Sequence, residues 1–163
     1  PSSWFLTALT CIGGFFFIYL SLPIILKGNA SNSWNKTTGY IKSLEVSEYY
    51  DYESGSYYDI DISVIYNVKG KEYKTSRFFI GSGSIGSWSG HICSSRKEVE
   101  KIKKYFPVHS YTNVYYNPEN HSDSVLMPGI MWSNLILLLF GILSFGIGIS
   151  CVIVDSRSII SKS

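Results

Sequence analysis

Two blocks of the chain carry no charged residue. "WFLTALTCIGGFFFIYLSLPIIL" covers residues 4–26, and "IMWSNLILLLFGILSFGIGISCVIV" covers residues 130–154. A helix needs about 20 apolar residues to cross the hydrocarbon core of a bilayer, and both blocks exceed that length. A helix in a soluble core is seldom apolar on every face for so long. Both blocks therefore read as transmembrane helices, and the chain as a two-helix hairpin holding residues 27–129 between them. A cleaved leader fits the first block less well. Its apolar stretch is too long, and it lacks a basic start and a small-residue cleavage site. The chain begins with Pro1 rather than Met, which leaves room for residues upstream.

Orientation rests on few charges. Arg157 and Lys162 lie in the polar tail 155–163, and no Lys or Arg stands between Phe106 and Gly129. That favours a cytoplasmic C-terminus, while Lys27, Lys36 and Lys42 after the first block argue the other way; a loop this long weakens the rule. The expectation is an integral, two-pass membrane protein with both termini cytoplasmic and the domain outside. Asn29, Asn35 and Asn120 begin glycosylation patterns, which matter only in a eukaryotic secretory setting.

The segment between the blocks reads as a polar linker (27–37) and one small domain (38–129). Together these hold twelve Lys and Arg against eleven Asp and Glu, without the strong basic excess of a nucleic-acid footprint. "TGYIKSLEVSEYY" (38–50) alternates, with Tyr40, Leu44 and Val46 as its apolar positions. "YYDIDISVIYNV" (57–68) alternates more clearly, with Tyr58, Ile60, Ile62, Val64 and Tyr66 on one face. Period two with β-branched and aromatic residues predicts half-buried strands. Lys69-Gly70 turns the chain into a third strand, "KEYKTSRFFI" (71–80). "SSRKEVEKIKKYF" (94–106) predicts a helix, with a Ser95/Glu98 capping box. Its apolar stripe is Val99, Ile102 and Phe106, and Glu100 is placed to pair with Lys104. "YTNVYYN" (111–117) is a further strand, with Val114 and Tyr116 pointing inwards. The predicted fold class is α+β: a small antiparallel sheet or partly closed β-barrel with one amphipathic helix, carried on a transmembrane hairpin.

Three stretches carry a resemblance: "VIYNVKGKEYKT" (64–75), "SSRKEVEKIKKYFP" (94–107) and above all "NVYYNPENHSDSVLMPG" (113–129). They resemble the domain-of-unknown-function 3592 family of small bacterial membrane proteins, in which a β-rich domain sits beside one or two membrane helices. The departure is His121, where the family often has a second Pro. The resemblance implies the fold and a membrane setting, and no catalytic residue. Within the last stretch, Asn117-Pro118 favours a turn, and Pro128-Gly129 breaks the extended chain.

Candidate chemistry is sparse. Gly81-x-Gly83-x-x-Gly86 matches a dinucleotide-binding turn by letter. That motif must open a helix inside a parallel βαβ unit, and here the preceding strand belongs to an antiparallel hairpin. A flexible loop is expected instead, bearing Ile85 and Trp88, which are either tucked away or offered to a partner. His91 and Cys93 are two ligands where a structural zinc site needs four; His109 and His121 lie far along the chain. Cys11 and Cys151 sit in the apolar blocks. No nucleophile–base constellation stands out, so no catalytic residue, metal or cofactor is expected.

Residues 45–62 hold six acidic residues and five tyrosines with no Lys or Arg. This hairpin is either a solvated face or a recognition surface, with Tyr49, Tyr50, Asp51 and Tyr52 as its contact residues. Small residues recur four apart at Thr10/Gly14, Ser144/Gly148 and Gly146/Ser150, spacings that let helices approach closely. They would serve the hairpin itself, a larger assembly or a homo-oligomer. The expected partners are membrane lipid and another membrane protein. The expected function is a non-catalytic accessory or assembly subunit of a membrane complex. A membrane-anchored immunity protein against a toxin is the alternative, and an enzyme of unknown class the third reading.

Overall fold

The computed structural model describes residues 3–52, 55–81, 91–93 and 95–160. They divide into two compact units, residues 27–129 and the two flanking segments 1–26 and 130–163.

The flanking unit is a pair of helices, α1 (Ser3–Ala30) and α3 (Trp132–Ile160). Both have the length and apolar composition of membrane spans. They run antiparallel where they touch. Gly14 packs against Gly141 and Phe145, and a Cβ there would stand 2.6 Å from the Phe145 backbone nitrogen. Gly148 packs on Cys11 in the same way. Phe17 and Phe140 meet edge to face at 5.5 Å. Of the small residues expected to pack, Gly14 and Gly148 stand at this contact. Thr10 borders Gly148, and its hydroxyl donates to the Thr7 carbonyl. Ser144 is half-buried, whereas Gly146 faces open space and Ser150 is exposed. Gly141, with its Cβ position 3.0 Å from the Ile18 side chain, belongs to the contact as well.

The segment read as a linker is structured. α1 runs on to Ala30, a 3-10 turn covers Ser31–Ser33, and β1 (Asn35–Asp51) begins directly after it. The Ser and Asn side chains that read as linker composition bond back onto the helix end instead. Ser31 donates to the Gly28 carbonyl at 2.6 Å, and Ser33 donates to that of Ala30 at 2.8 Å.

The middle unit is built on one antiparallel sheet. Its strands are β1, β2 (Gly55–Val68), β3 (Lys71–Thr75), β4 (His91–Cys93), β5 (Tyr111–Tyr116) and β6 (Ser124–Val125). The order is β3-β2-β1-β5-β6, with β4 pairing the other end of β2. The Lys69-Gly70 turn has positive φ at both central residues, 52° and 79°, as the type I′ hairpin requires. The helix α2 (Arg96–Tyr105) has Ser95 as N-cap, its side chain accepting from the Glu98 amide. Its acidic partner differs from expectation: Glu100 pairs with Lys103, 3.6 Å away and three residues on, rather than with Lys104.

The core lies between the sheet and α2. Ile60, Ile62, Val64 and Tyr66 of β2 are buried, with Val114, Val125, Phe78, Val99 and Phe106. Phe78 and Phe106 meet edge to face at 5.5 Å. In β1 the apolar alternation misleads by one residue. Tyr40 is exposed and its neighbour Ile41 is fully buried. A bulge between Ile41 and Ser43 is the cause: the extra residue reverses which side chains face inwards beyond it. Leu44 and Val46 therefore pack on the core although Tyr40 does not.

The sheet is open, since no ladder joins β3 to β6. β3 ends at Thr75 rather than running to Ile80, because the chain after it turns towards the segment after β6. Leu126 donates its amide to the Arg77 carbonyl at 3.0 Å, and Met127 donates to that of Phe78 at 2.8 Å. One carboxylate reinforces this junction. Asp123, nearly buried, accepts from Arg77 Nη2 at 2.6 Å and pairs with Lys27 Nζ at 2.7 Å. Burial pushes the Asp123 carboxyl up, but the hydrogen bonds and charges of Lys27 and Arg77 outweigh it, so the net shift is downwards.

Two predictions follow from this packing. Asp123→Ala should destabilise the full chain in detergent by about 2–3 kcal/mol, read from denaturant midpoints. Because the folded carboxyl titrates below its ordinary value of 3.8, the stabilisation it supplies is complete above that value. It is lost as pH falls below it, and the variant should lack this acid-dependent loss. In the helix pair, Gly14→Leu should lower stability by about 1–3 kcal/mol through overpacking. Gly146→Leu, at a position open to its surroundings, should leave thermal unfolding unchanged.

Candidate functional site

β1 is seventeen residues long, and only its first part is covered on both edges. β5 pairs with residues 35–40. One further bond in each direction, Ile41 amide to Ser110 carbonyl and His109 amide to Ile41 carbonyl, extends that cover. From Ser43 to Asp51 the strand pairs, among the described residues, with β2 alone. β2 is protected on its far edge by β3 at residues 64–68 and by β4 at 58–60. The outer half of the β1–β2 hairpin is therefore an arm with one edge open. Unpaired N–H and C=O groups on such an edge are a template for another strand.

The arm carries the acidic tyrosine cluster. Tyr49 and Tyr57 are cross-strand partners and stack at 5.3 Å. Tyr50 is 75% exposed and Tyr52 is 95% exposed, which leaves most of both rings available for contact. The Asp51 backbone pairs with Gly55. Tyr58 donates to Glu48 Oε1 at 3.0 Å. This hydrogen bond, then desolvation and the carboxylate charge, raises the Tyr58 pKa. Of the residues singled out as contact candidates, Tyr49, Tyr50 and Asp51 end β1 and Tyr52 follows them. Ile85 and Trp88 lie outside the described residues. The glycine-rich stretch leads into β4, antiparallel to β2, where a phosphate-binding turn would lead into a helix.

The outer face of the same sheet is polar. The Lys42 bulge residue, Ser43, Glu45, Asp61, Ser63 and Lys74 border a cavity of about 450 Å³. Ser63 Oγ is buried there with no hydrogen-bond partner. Asn134 Nδ2, in the helix pair, is the other buried polar side-chain atom so placed among the described residues. The sequence marked the tyrosines by composition. It offered no signal for the cavity, which depends on the bulge and on strand register.

His109 and His121 make aromatic contacts. His121 meets Tyr73 and Tyr116 edge to face, and its carbonyl accepts from the Tyr66 hydroxyl at 2.5 Å. Burial raises the Tyr66 pKa, against a smaller lowering by Ser124. His109 Nδ1 sits 3.1 Å from the Tyr40 hydroxyl. Among the described residues no group of three His, Cys, Asp or Glu could hold a metal.

The stretch "NPENHSD" has a clear structural task. Asn117 Oδ1 accepts from the Glu119 amide, and Asn120 Oδ1 from the Ser122 amide. The Asn117 amide donates to the Asp123 carbonyl at 2.8 Å. These turns deliver Asp123 to Lys27 and Arg77. No curated protein matches the sequence. The profile of one family, Domain of unknown function (DUF3592), matches residues 37–131. The match spans the sheet from Thr37 of β1 onwards and α2, and the chain belongs to the DUF3592 family.

Proposed function

We propose that this chain is a two-pass membrane protein that works by docking a partner protein, as an accessory or assembly subunit of a larger membrane complex. The observation that carries this reading is the open edge of β1 from residue 43 to residue 51, flanked by exposed Tyr50 and Tyr52. Strand addition at such an edge takes its affinity from main-chain hydrogen bonds and its specificity from side chains on either face. Tyrosine is suited to this, because it contributes a large contact area at little entropy cost. The two apolar helices support the membrane setting by length and composition, and their basic flank at Arg157 and Lys162 favours cytoplasmic termini. No reaction is assigned. A toxin-neutralising role would use the same arm, and the acidity of residues 45–61 suits a basic opponent.

Purification of the full chain in mild detergent should bring down a stoichiometric partner. A photo-crosslinking residue at position 50 should capture it, and in the chain without the crosslinker Tyr50→Ala with Tyr52→Ala should cut recovery of the partner about tenfold. A monodisperse, partner-free protein that crosslinks to nothing would sink the proposal.

A further inference from the structure

The polar cavity on the outer face has a charge arrangement that the fold alone does not explain. Glu45 and Asp61 stand directly opposite each other across the β1–β2 ladder. Both are exposed, and neither has a basic partner among the described residues. Like charges in that relation oppose strand pairing. Two residues along the same face, Ser43 opposes Ser63, and the buried Ser63 hydroxyl lacks a partner. Leaving such a group unpaired is costly. Two residues further, Ile65 of β2 opposes Lys74 of β3. Lys42 occupies the bulge beside Ser43. Neither lysine has an acidic partner among the described residues. Residues 61, 63 and 65 share one face of β2, so this cavity has an acidic end, a hydroxyl in the middle and a basic end. At about 3.4 Å per residue, the backbone span from Asp61 to Ile65 is about 14 Å, which the side chains shorten from both ends.

We propose that this cavity binds a small aminoalkyl phosphate. The ligand's ammonium lies between Glu45 and Asp61, its phosphate lies against Lys42 and Lys74, and Ser63 Oγ, buried in the empty site, turns to donate to it between the two ends. A lone metal ion would relieve the carboxylates but leave both lysines and Ser63 unpaired. Free phosphate would leave Glu45 and Asp61 opposed, and an apolar ligand would strip water from four charges. The volume, about 450 Å³, lies in the range of small-molecule sites. A free solute and a lipid headgroup share this chemistry.

The test uses the full chain in maltoside micelles, in phosphate-free buffer, titrated calorimetrically with O-phosphorylethanolamine. Saturable binding is expected, and ethanolamine or inorganic phosphate alone should bind at least about tenfold more weakly. Asp61→Asn and Lys74→Met should each lower affinity about tenfold. Ser63→Ala and Glu45→Gln should weaken binding while the unfolding temperature holds or rises, because each removes an unfavourable feature of the empty site. A merely structural role would lower the unfolding temperature instead. Competition by phosphatidylethanolamine nanodiscs and not by phosphatidylcholine ones would make a lipid headgroup the source, and equal binding in both would make it a free solute. Either result supports the site. No saturable binding at millimolar ligand would overturn the proposal, as would phosphate binding equally well with no effect of Asp61→Asn.

Discussion

The carboxylate of Asp123 joins three segments that are remote in sequence. Lys27 comes from the end of α1, Arg77 from the chain after β3, and Asp123 itself from the loop before β6. An open antiparallel sheet has two edges that must be protected. Here the strands at those edges do not pair, and the chain beyond each is stitched to the other by two amide–carbonyl bonds between residues 77–78 and 126–127. The ion pairs lie beside that stitch. Thr75 donates to the Ser124 carbonyl within the same junction, and Gly129 donates to the Ser31 hydroxyl. The most recognisable stretch of the chain, residues 113–129, is therefore the one that holds the sheet's last strand against the chain that follows β3. A structural duty of this kind accounts for those residues without any ligand.

The bulge at Lys42 has a second far-reaching effect. It sends Ile41 into the core and Tyr40 out to His109 and Tyr111. Beyond it, β1 continues with reversed sidedness, so that Leu44 and Val46 still reach the core. The same reversal sets Ser43 and Glu45 beside Ser63 and Asp61 on the outer face. One inserted residue thus aligns the core and creates the polar cavity.

The hairpin arm and the cavity are separable features. The arm offers backbone groups and tyrosine rings, which suit an extended protein segment. The cavity offers unpaired charges of both signs at its two ends, which suit a small zwitterion. The arm lies within the first two strands and the cavity on the first three, while β5 pairs with the start of β1 and α2 covers the core. Among the described residues, this division leaves the proposed binding features on β1, β2 and β3 and most of the closing interactions on the segments that follow.

Much of the architecture was legible in the residues alone, for local reasons. Charge-free runs of more than 20 residues admit few structures, strict alternation in 57–68 admits a strand, and Ser95 before an apolar stripe admits a helix start. Lys69-Gly70 is a turn because it needs positive φ, a demand the neighbouring strands cannot change. The rest depended on contacts between distant segments. Tyr40 and Ile41 could not be ordered without the bulge, and β6 is too short to signal itself. Asp123 is unremarkable in sequence until Lys27 and Arg77 arrive beside it. The acidic tyrosines were visible as composition, but only the uneven lengths of β1 and β5 decided that their strand has a free edge. Sequence determined the elements, because periodicity and turn chemistry act over a few residues. Tertiary structure decided register, sidedness and charge partners, because these depend on which strands lie opposite one another.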